Sequence, residues 1–390
     1  MKKLLLLLLL AGTLGAAFAQ ESSDEYDDFD DIFSQPAEDI EVEQSEPVIT
    51  TPAADSSQSI LKLSGHFDGS VGLALTIIDK PDLGGFLDLD NKLYLNVKPS
   101  PAFGLHGALQ TSLKNKFTLD VNYLYFDYMP FNWMFISAGK KDVAWGYTRL
   151  FTNCNIMSDT NGRLNAEFRF PWSSGTATFV ASYDYALLST TPSYKDISYA
   201  ASIEQTIGHT SVNLFGKLYG QSDRTDEGVR KSPIAGLEAK RTFFNGYDAY
   251  IQGYTRMADY KKLNSKQGWE SVTATTGFYK LWDGFDPNLG INIEYQYNFK
   301  PNVAEDQGSV HNHEVFLQGG IKRIGKNKNM KGAVEWNHNF NTTAGYCKAG
   351  FIIDSLFPYG SWKNGIEVDY AKGSKPEFIL GTSISISLDY

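Results

Sequence analysis

The chain has 390 residues, 42% of them apolar and 21% charged, and a formal net charge of −10. The acidity is confined to residues 20–61, which contain 13 acidic residues and no Lys or Arg. Without them, and without Lys2 and Lys3, the 45 acidic and 35 basic residues become 32 and 33. This near-neutral body has no basic excess to neutralise phosphates, which excludes nucleic acid as a partner. Beyond the N-terminus no apolar run approaches the ~18 residues of a membrane helix, which excludes a helical membrane protein.

The first nineteen residues have the pattern of a secretion signal. Lys2 and Lys3 precede an apolar run that begins at Leu4, and Ala17-Phe18-Ala19 fits the A-x-A cleavage pattern. The run is too short for a membrane anchor, and a strongly acidic stretch follows it directly. The sequence therefore predicts a signal peptide over 1–19 and export from the cytoplasm.

Residues 20–59 differ in composition from the rest of the chain. They carry charge of one sign and few branched apolar residues, so the segment repels itself and buries too little surface to offset its ordering entropy. We expect an acidic, disordered segment. The alternative is that Tyr26, Phe29 and Phe33, which lie among aspartates, dock on a basic partner.

From residue 60 to the last residue, apolar and polar residues alternate with the period of a β-strand. In 291–299 the odd-numbered residues are apolar or aromatic and the even-numbered ones are polar. In 117–126 the same alternation places Tyr123 and Tyr125 on the apolar face. The pattern predicts an all-β body with two-faced strands.

The pattern predicts about eighteen such strands. The count falls to sixteen if the regions that fit least well, 332–340 and the loop 281–288, are left out. Most are near ten residues long, which suits a tilted membrane crossing better than a strand of a soluble sandwich. Short connections such as 98–102 alternate with long polar ones such as 143–162, as in outer-membrane barrels. A sandwich gives no reason for this alternation, so a membrane barrel is favoured.

These features together resemble a bacterial outer-membrane β-barrel of the porin-like kind. The chain ends in alternating apolar residues and an aromatic residue, similar to the signal that the barrel-assembly machinery reads: Ile384, Ile386, Leu388 and Tyr390. The stretch 138–151 also resembles a G-(K/R)-x-x-x-x-W-G motif of several outer-membrane channels. The resemblance implies a transmembrane antiparallel up-and-down β-barrel of about 16–18 strands over 60–390, in contact with outer-membrane lipid. It places 20–59 in the periplasm, with a possible partner there, and makes a homotrimer possible.

A barrel of sixteen to eighteen strands encloses an aqueous channel, so passive diffusion of small hydrophilic solutes is the expected function. In general porins the loop between strands five and six folds inward, and by that resemblance 143–162 narrows the pore. The alternative is that this loop covers the extracellular mouth. The constriction candidates are Arg149, Asp159, Arg163, Asp120 and Trp145.

The polar faces of the strands indicate the charge of the lumen. The acidic residues assigned inward are Asp68, Asp88, Asp90, Asp120, Glu167, Asp184, Glu204, Glu238, Asp248, Glu294, Glu314, Glu335, Glu367 and Asp369, and the basic ones are Lys62, Lys92, Arg163, Arg169, Lys217, Lys240, Arg256, Lys322 and Lys348. Fourteen acidic against nine basic residues predicts a weak preference for cations. The alternative is cross-lumen pairing, such as Glu167 with Arg163 or Arg169, which stiffens the wall without selecting ions.

Other functions remain open: a gated, substrate-specific transporter, which includes transporters of hydrophobic substrates, and a surface adhesin or structural barrel. An enzyme is not expected, because the sequence contains no G-x-S-x-G, HExxH or GK[ST] motif, and no cofactor is expected. His311 and His313 share one face but lack a third metal ligand. Cys154 in the long loop and Cys347 on the lipid face point apart, which disfavours a disulfide.

Overall fold

The computed structural model describes residues 61–114, 116–158, 162–184, 193–225, 228–243, 246–301, 310–325 and 327–390. The predicted signal peptide, the acidic segment and the candidate residue Asp159 lie outside the described residues. Among these residues no helix is long and apolar enough to cross a membrane. The helical elements are single 3₁₀ turns at Thr152–Cys154, Tyr194–Asp196, Tyr260–Lys262 and Lys266–Gly268.

The described chain forms eighteen strands. In chain order they are β1 Leu61–Ile77, β2 Pro81–Ser100, β3 Phe103–Leu113, β4 Phe117–Phe131, β5 Met134–Lys140, β6 Leu164–Trp172, β7 Gly175–Tyr183, β8 Ser198–Ile207, β9 Thr210–Leu218, β10 Ile234–Phe243, β11 Tyr247–Met257, β12 Trp269–Trp282, β13 Asn288–Phe299, β14 His311–Ile324, β15 Lys328–Asn339, β16 Gly345–Phe357, β17 Gly360–Ala371 and β18 Glu377–Asp389.

Each strand pairs antiparallel with the next one, and β1 also pairs with β18, so the sheet closes on itself. At the seam the backbones of Gly65 and Tyr390 exchange hydrogen bonds of 2.7 and 2.9 Å. This confirms the predicted all-β, up-and-down barrel and sets the number of described strands at the upper value. The two regions that fit the strand pattern least well, 332–340 and 281–288, correspond to β15 and to the turn 283–287.

Alternation along the strands separates an inner from an outer face. On β13 the side chains of Asn292, Glu294 and Gln296 are buried, whereas Ile293 and Tyr295 between them are 38% and 37% exposed. Large apolar side chains are exposed on the outer face of most strands, where lipid covers such residues in a membrane barrel. The polar residues line the lumen.

The two ends of the barrel have different connections. At one end the strands are joined by tight turns such as 101–102, 173–174 and 208–209. At the other end lie the long connections 141–163 and 219–233. Because neighbouring strands are antiparallel, the first residue of β1 and the last of β18 both lie at the short-turn end, which corresponds to the periplasmic end of outer-membrane barrels.

The predicted orientation of Tyr123 and Tyr125, on the apolar outer face of β4, is wrong. The register between β3 and β4 shifts between Ala108 and Leu109, which pair with Tyr123 and Val121. This β-bulge inserts one extra residue, and the following side chains therefore change faces. Tyr125 consequently points into the lumen and stacks on His106, with ring centroids 5.1 Å apart. A simple period of two cannot anticipate such an insertion.

Aromatic side chains ring the outer face at both ends, as interfacial belts do. At the short-turn end Phe131 stacks on Trp133 with centroids 5.2 Å apart. At the long-loop end the rings of His311 and His313 lie beside tyrosines, hydrogen-bonded to Tyr297 (2.7 Å) and Tyr295 (2.6 Å). Within the described residues no group of three His, Cys, Asp or Glu side chains is arranged to hold a metal ion.

Candidate functional site

The connection 141–163, called here the inward loop, runs into the barrel and packs against the lumen wall. Its apolar side chains join an apolar cluster with lumen-facing side chains of β7 to β11: Val143, Phe151, Cys154, Ile156 and Met157 from the loop, and Val180, Ala200, Phe215, Ile234 and Tyr254 from the wall. Burial of this cluster holds the loop inside the barrel, since apolar side chains removed from water each contribute about 1.5–3 kcal/mol.

Glu294 anchors the middle of the inward loop. Its side chain is completely buried and accepts hydrogen bonds from the backbone N–H groups of Arg149 (2.5 Å) and Phe151 (2.9 Å). The hydroxyl of Tyr250 donates a third hydrogen bond to the same carboxylate at 2.5 Å. A buried carboxylate is tolerated only when it is hydrogen-bonded in this way, so the wall residue and the loop stabilise each other.

Amide, hydroxyl and amine side chains from the wall anchor the rest of the inward loop. Gln252 donates to the backbone oxygen of Cys154 at 2.7 Å, and Tyr254 donates to that of Asn153 at 3.1 Å. The amine of Lys217, which is 2% exposed, donates to the backbone oxygen of Ile156 at 3.0 Å. These bonds satisfy backbone groups of a loop that has no regular partner strand.

Cys154 lies at the centre of this contact. Its sulfur is 3.1 Å from the hydroxyl oxygen of Thr275 on β12, and the residue is fully buried. Burial raises the pKa of the Cys154 thiol to about 11, because the thiolate would lose its hydration. Cys154 and Cys347 are both free thiols.

The W-G pair noticed in the sequence shapes the start of the inward loop. The backbone N–H of Trp145 donates to the side chain of Asn155 at 3.1 Å, and its ring packs against the apolar cluster. Gly146 has a φ of +133°, and a Cβ there would lie 3.0 Å from the backbone oxygen of Cys154. Only glycine fits this backbone conformation without strain.

The constriction candidates do not form one cluster. The guanidinium of Arg149 lies 3.5 Å from the ring centroid of Tyr279 on β12, beside the Glu294 anchor. Asp120 lies on β4, where its carboxylate is 3.2 Å from the amine of Lys140. Trp145 and Arg149 therefore belong to the inward loop, whereas Asp120 belongs to the wall.

Arg163 joins the two long connections by an ion pair. Its guanidinium is 2.6 Å from the carboxylate of Asp223 in the connection 219–233. Asp223 is 3% exposed and also accepts a hydrogen bond from Ser198. No sequence pattern indicates this pair, because both residues lie in polar loops.

The register places the predicted lumen-lining charges of the strands on the inner face. These are Asp88, Asp90, Lys92, Glu167, Arg169, Lys217, Glu238, Lys240, Arg256, Glu294, Glu314, Glu335, Glu367 and Asp369. Asp184 lies instead in the connection after β7.

Several lumen charges are paired. Glu167 lies 2.8 Å from the amine of Lys141 and 2.7 Å from the guanidinium of Arg169. On the opposite wall Lys348 and Asp369 are 3.6 Å apart. Ion pairing therefore neutralises part of the charge on the lumen wall, as the alternative of cross-lumen pairing predicted.

The lumen wall has a covered side and a solvated side. Beneath the inward loop the polar side chains of β9 to β13 are buried, among them Gln252 (1% exposed) and Gln296 (1% exposed). On β1 and β4 the carboxylate side chains are solvated, with Asp68 52% and Asp120 68% exposed. The solvated side of the lumen thus lies across from the loop's anchors.

Sequence reasoning missed the apolar inner face beneath the inward loop. It assigned polar residues inward, whereas Val180 and Phe215 face the lumen and are buried there. The available signal was two adjacent apolar residues within a strand, as in Phe179-Val180 and Leu214-Phe215. Such pairs show that both faces of the strand are covered.

No family model and no curated protein sequence matches the chain. Among solved structures it is similar to OccAB4 of Acinetobacter baumannii, with a TM-score of 0.50 and 8% identity over 84% of this chain and 98% of that one. It is also similar to OpdO of Pseudomonas aeruginosa (TM-score 0.51, 8% identity, 84% and 97% covered). A BenF-like porin of Pseudomonas fluorescens gives a TM-score of 0.51 at 9% identity, with 84% and 99% covered.

At these identities the likeness concerns the fold. Together with the closed eighteen-stranded sheet of the described residues, it shows that the chain shares the fold of these solved structures, a closed antiparallel β-barrel. The predicted fold class, a closed antiparallel up-and-down β-barrel, is thereby confirmed.

Proposed function

We propose that the protein is an outer-membrane channel through which small hydrophilic solutes diffuse passively. The observation that carries this proposal is the lumen of the closed barrel, which is lined by polar side chains and solvated along β1 and β4. A barrel of this strand number leaves an aqueous channel unless it is plugged. The inward loop covers the side formed by β7 to β13 and leaves the carboxylates of Asp68 and Asp120 in solvent. The name of the BenF-like neighbour describes that protein as a porin, in agreement with this proposal.

A weak preference for cations is the second part of the proposal. The solvated side carries carboxylates such as Asp68, Asp120 and Asp127, whose side chains are half or more exposed. Lys141 and Arg169 are both paired with Glu167, and Lys140 with Asp120, so part of the basic charge of the lumen is neutralised. Solvated carboxylates raise the local concentration of cations along the path.

Two measurements on the purified full-length chain test the proposal. In a planar bilayer with a KCl gradient we expect stable open steps and a reversal potential displaced modestly towards that of K⁺. A displacement towards Cl⁻ would contradict the cation preference, and the absence of steps would contradict an open channel. Swelling of liposomes in graded sugars then gives the size limit of the solute.

A substrate-specific channel is the second candidate. It is favoured by the extent of the inward loop, which reaches from β5 to Glu294 on β13 and so occupies much of the lumen. A passage narrowed in this way discriminates among solutes by shape. A single sugar or amino acid that permeates much faster than others of its size would support this function over general diffusion.

A further inference from the structure

Three tyrosines of neighbouring strands lie together on the solvated side of the lumen. Tyr123 on β4 pairs in register with Ala108 on β3, and Ala108 pairs on its other side with Tyr94 on β2. Tyr125 lies two residues beyond Tyr123 on β4, and the two ring centroids are 5.6 Å apart. We call Tyr94, Tyr123 and Tyr125 the tyrosine platform.

Register and burial place the tyrosine platform on the inner face of the barrel. Residues that lie directly opposite each other on antiparallel strands project to the same face of the sheet. Ala108 is 3% exposed, whereas Leu109 and Val121, which form the next pair, are 38% and 39% exposed on the outer face. Tyr94 and Tyr123 therefore stand on either side of Ala108 and project into the lumen with it.

The ring of Tyr125 is held in place from both sides of its strand. His106 on β3 stacks on it with centroids 5.1 Å apart, and the amine of Lys141 lies 5.2 Å from its centroid. That amine is itself paired with Glu167 at 2.8 Å. A ring fixed in this way loses little conformational freedom when a solute stacks on it.

The hydroxyl groups of the tyrosine platform are available to a solute. All three side chains are partly exposed, and none of their hydroxyls makes a hydrogen bond to a residue that the structure describes. Under the inward loop, by contrast, Tyr250 and Tyr254 are buried and hydrogen-bonded. A phenolic hydroxyl both donates and accepts, so each platform hydroxyl can bind a hydroxyl of a solute.

Polar side chains border the tyrosine platform at both ends. Towards the long loops, Asn122 donates to Gln110 at 2.6 Å, and Gln110 donates to Asp90 at 3.2 Å. Towards the short turns, the carboxylate side chain of Asp127 is 50% exposed. Amides and carboxylates of this kind are partners for the hydroxyl groups of a solute.

The passage itself runs over the tyrosine platform. The inward loop is anchored on β7 to β13, so it leaves the platform on β2 to β4 uncovered. Two strand spacings separate Tyr94 from Tyr123, or about 10 Å at 4.7–4.9 Å per strand, which is about the length of a disaccharide. A solute that passes beside the loop therefore meets the rings.

This combination of groups matches the chemistry of a sugar. A sugar ring has an apolar face of C–H groups, which packs on an aromatic ring, and a rim of hydroxyls, which requires polar partners. We propose that the tyrosine platform binds the rings of a neutral carbohydrate during its passage through the lumen. The inference rests on the proposed channel function and names the substrate class of that channel.

A neutral solute is favoured over an aromatic carboxylate. The latter would also stack on tyrosine rings, but its charge is repelled by the carboxylates of Asp90 and Asp127 at the two ends of the platform. The amine of Lys141 is already paired with Glu167 and offers less compensation.

Blocking of single-channel current by maltose tests the proposal on the purified full-length chain. We expect a saturable fall of the open current, with half-saturation in the millimolar range. Sorbitol, an open-chain polyol, should lower the current only through the viscosity of the solution. Equal effects of maltose and sorbitol would overturn the proposal, and so would saturable block by benzoate without block by maltose.

Variants of Tyr123 locate the block at the platform. Tyr123→Leu removes the ring and should raise the half-saturation concentration of maltose about tenfold. Tyr123→Phe keeps the ring and loses one hydroxyl, so we expect a rise of only about two- to fivefold. Tyr370→Leu is the control, since Tyr370 is 45% exposed on the outer face of β17, and its block should equal that of the native chain. Open steps in KCl show that each variant has folded.

Two outcomes of the variant series contradict the site. Block in Tyr123→Leu at the native half-saturation concentration would show that the platform does not hold the sugar. An equal loss in Tyr370→Leu would show that the effect of the substitution is general and not local to the lumen.

Calorimetric titration of maltose into the barrel separates this site from the channel function, because it requires no ion flow. The detergent should carry no sugar head group. Heat of binding that is lost in Tyr123→Leu, in a chain that gives no conductance, would retain the site and reject the channel. Stable conductance with neither block nor heat of binding would retain the channel and reject the site.

Discussion

The carboxylate of Glu294 on β13 accepts the backbone N–H of Phe151 at 2.9 Å, across 143 positions of sequence. The bond joins the middle of the inward loop to a wall strand far from the strands that the loop connects. Since the same carboxylate also accepts the N–H of Arg149, one buried side chain holds the middle of the loop.

Replacement of this carboxylate should loosen the loop. In Glu294→Gln the amide offers one acceptor oxygen instead of two and carries no charge, so at least one loop N–H loses its partner. Hydrogen bonds to charged groups contribute about 1.5–3 kcal/mol. We expect a larger and noisier single-channel conductance. Glu335→Gln is the control, because that carboxylate accepts from Tyr346 on the neighbouring strand. Equal noise in both variants would show that Glu294 does not hold the loop.

Gly146 permits a second test of the loop's conformation. Gly146→Ala would place a Cβ 3.0 Å from the backbone oxygen of Cys154 at a φ of +133°, and such strain costs about 1–3 kcal/mol. We expect faster cleavage of the loop by protease in detergent. Gly162→Ala is a matched control, since its φ is also positive (+72°) but its Cβ would have nothing within 4 Å. Cleavage of both variants at the same rate would point to φ alone and not to the close contact.

The Arg163–Asp223 pair should couple the two long connections. Removing one partner of a buried ion pair leaves an uncompensated charge and costs about 3–5 kcal/mol. We therefore expect Arg163→Gln to lower the thermal unfolding temperature in detergent markedly. Restoring neutrality in Arg163→Gln/Asp223→Asn should recover part of the loss. Additivity of the two single changes would show that the residues act independently.

Cys154 reports on the state of the loop. Because burial raises its pKa to about 11, very little reactive thiolate exists at pH 8, and the thiol is also shielded from reagent. In a Cys347→Ser background we expect slow labelling by maleimide, which accelerates in Glu294→Gln. Labelling in the native loop at the rate of a free model thiol would contradict the buried position. The denatured chain provides the upper limit of the rate.

The strand pattern was predictable because one face of each strand meets lipid and the other meets a polar lumen. That contrast is strong on β13, where Ile293 and Glu294 face opposite ways. The prediction from alternation fails at Tyr123 and Tyr125. The bulge opposite Ala108 and Leu109 changes which face the following side chains of β4 occupy, and the sequence of one strand does not reveal such a shift in pairing. A strand pattern records the surroundings of a strand and not its register.

The candidate site was predictable only in part. The long connection after β5 and its W-G pair were recognisable, as was the inward face of Glu294. The anchoring of the loop was not, because the partners of Glu294 are backbone groups, which every residue carries. Arg163 and Arg169 were both offered as partners of Glu167. Arg169 pairs with it, whereas the partner of Arg163 is Asp223, sixty positions away.

The barrel closes only where β18 pairs with β1. The edge of β1 is covered by the last residues of the chain, down to the hydrogen bonds between Gly65 and Tyr390. A chain that stops before β18 leaves two open edges, which attract other strands. Loss of β18 therefore yields an aggregation-prone sheet and not a smaller pore.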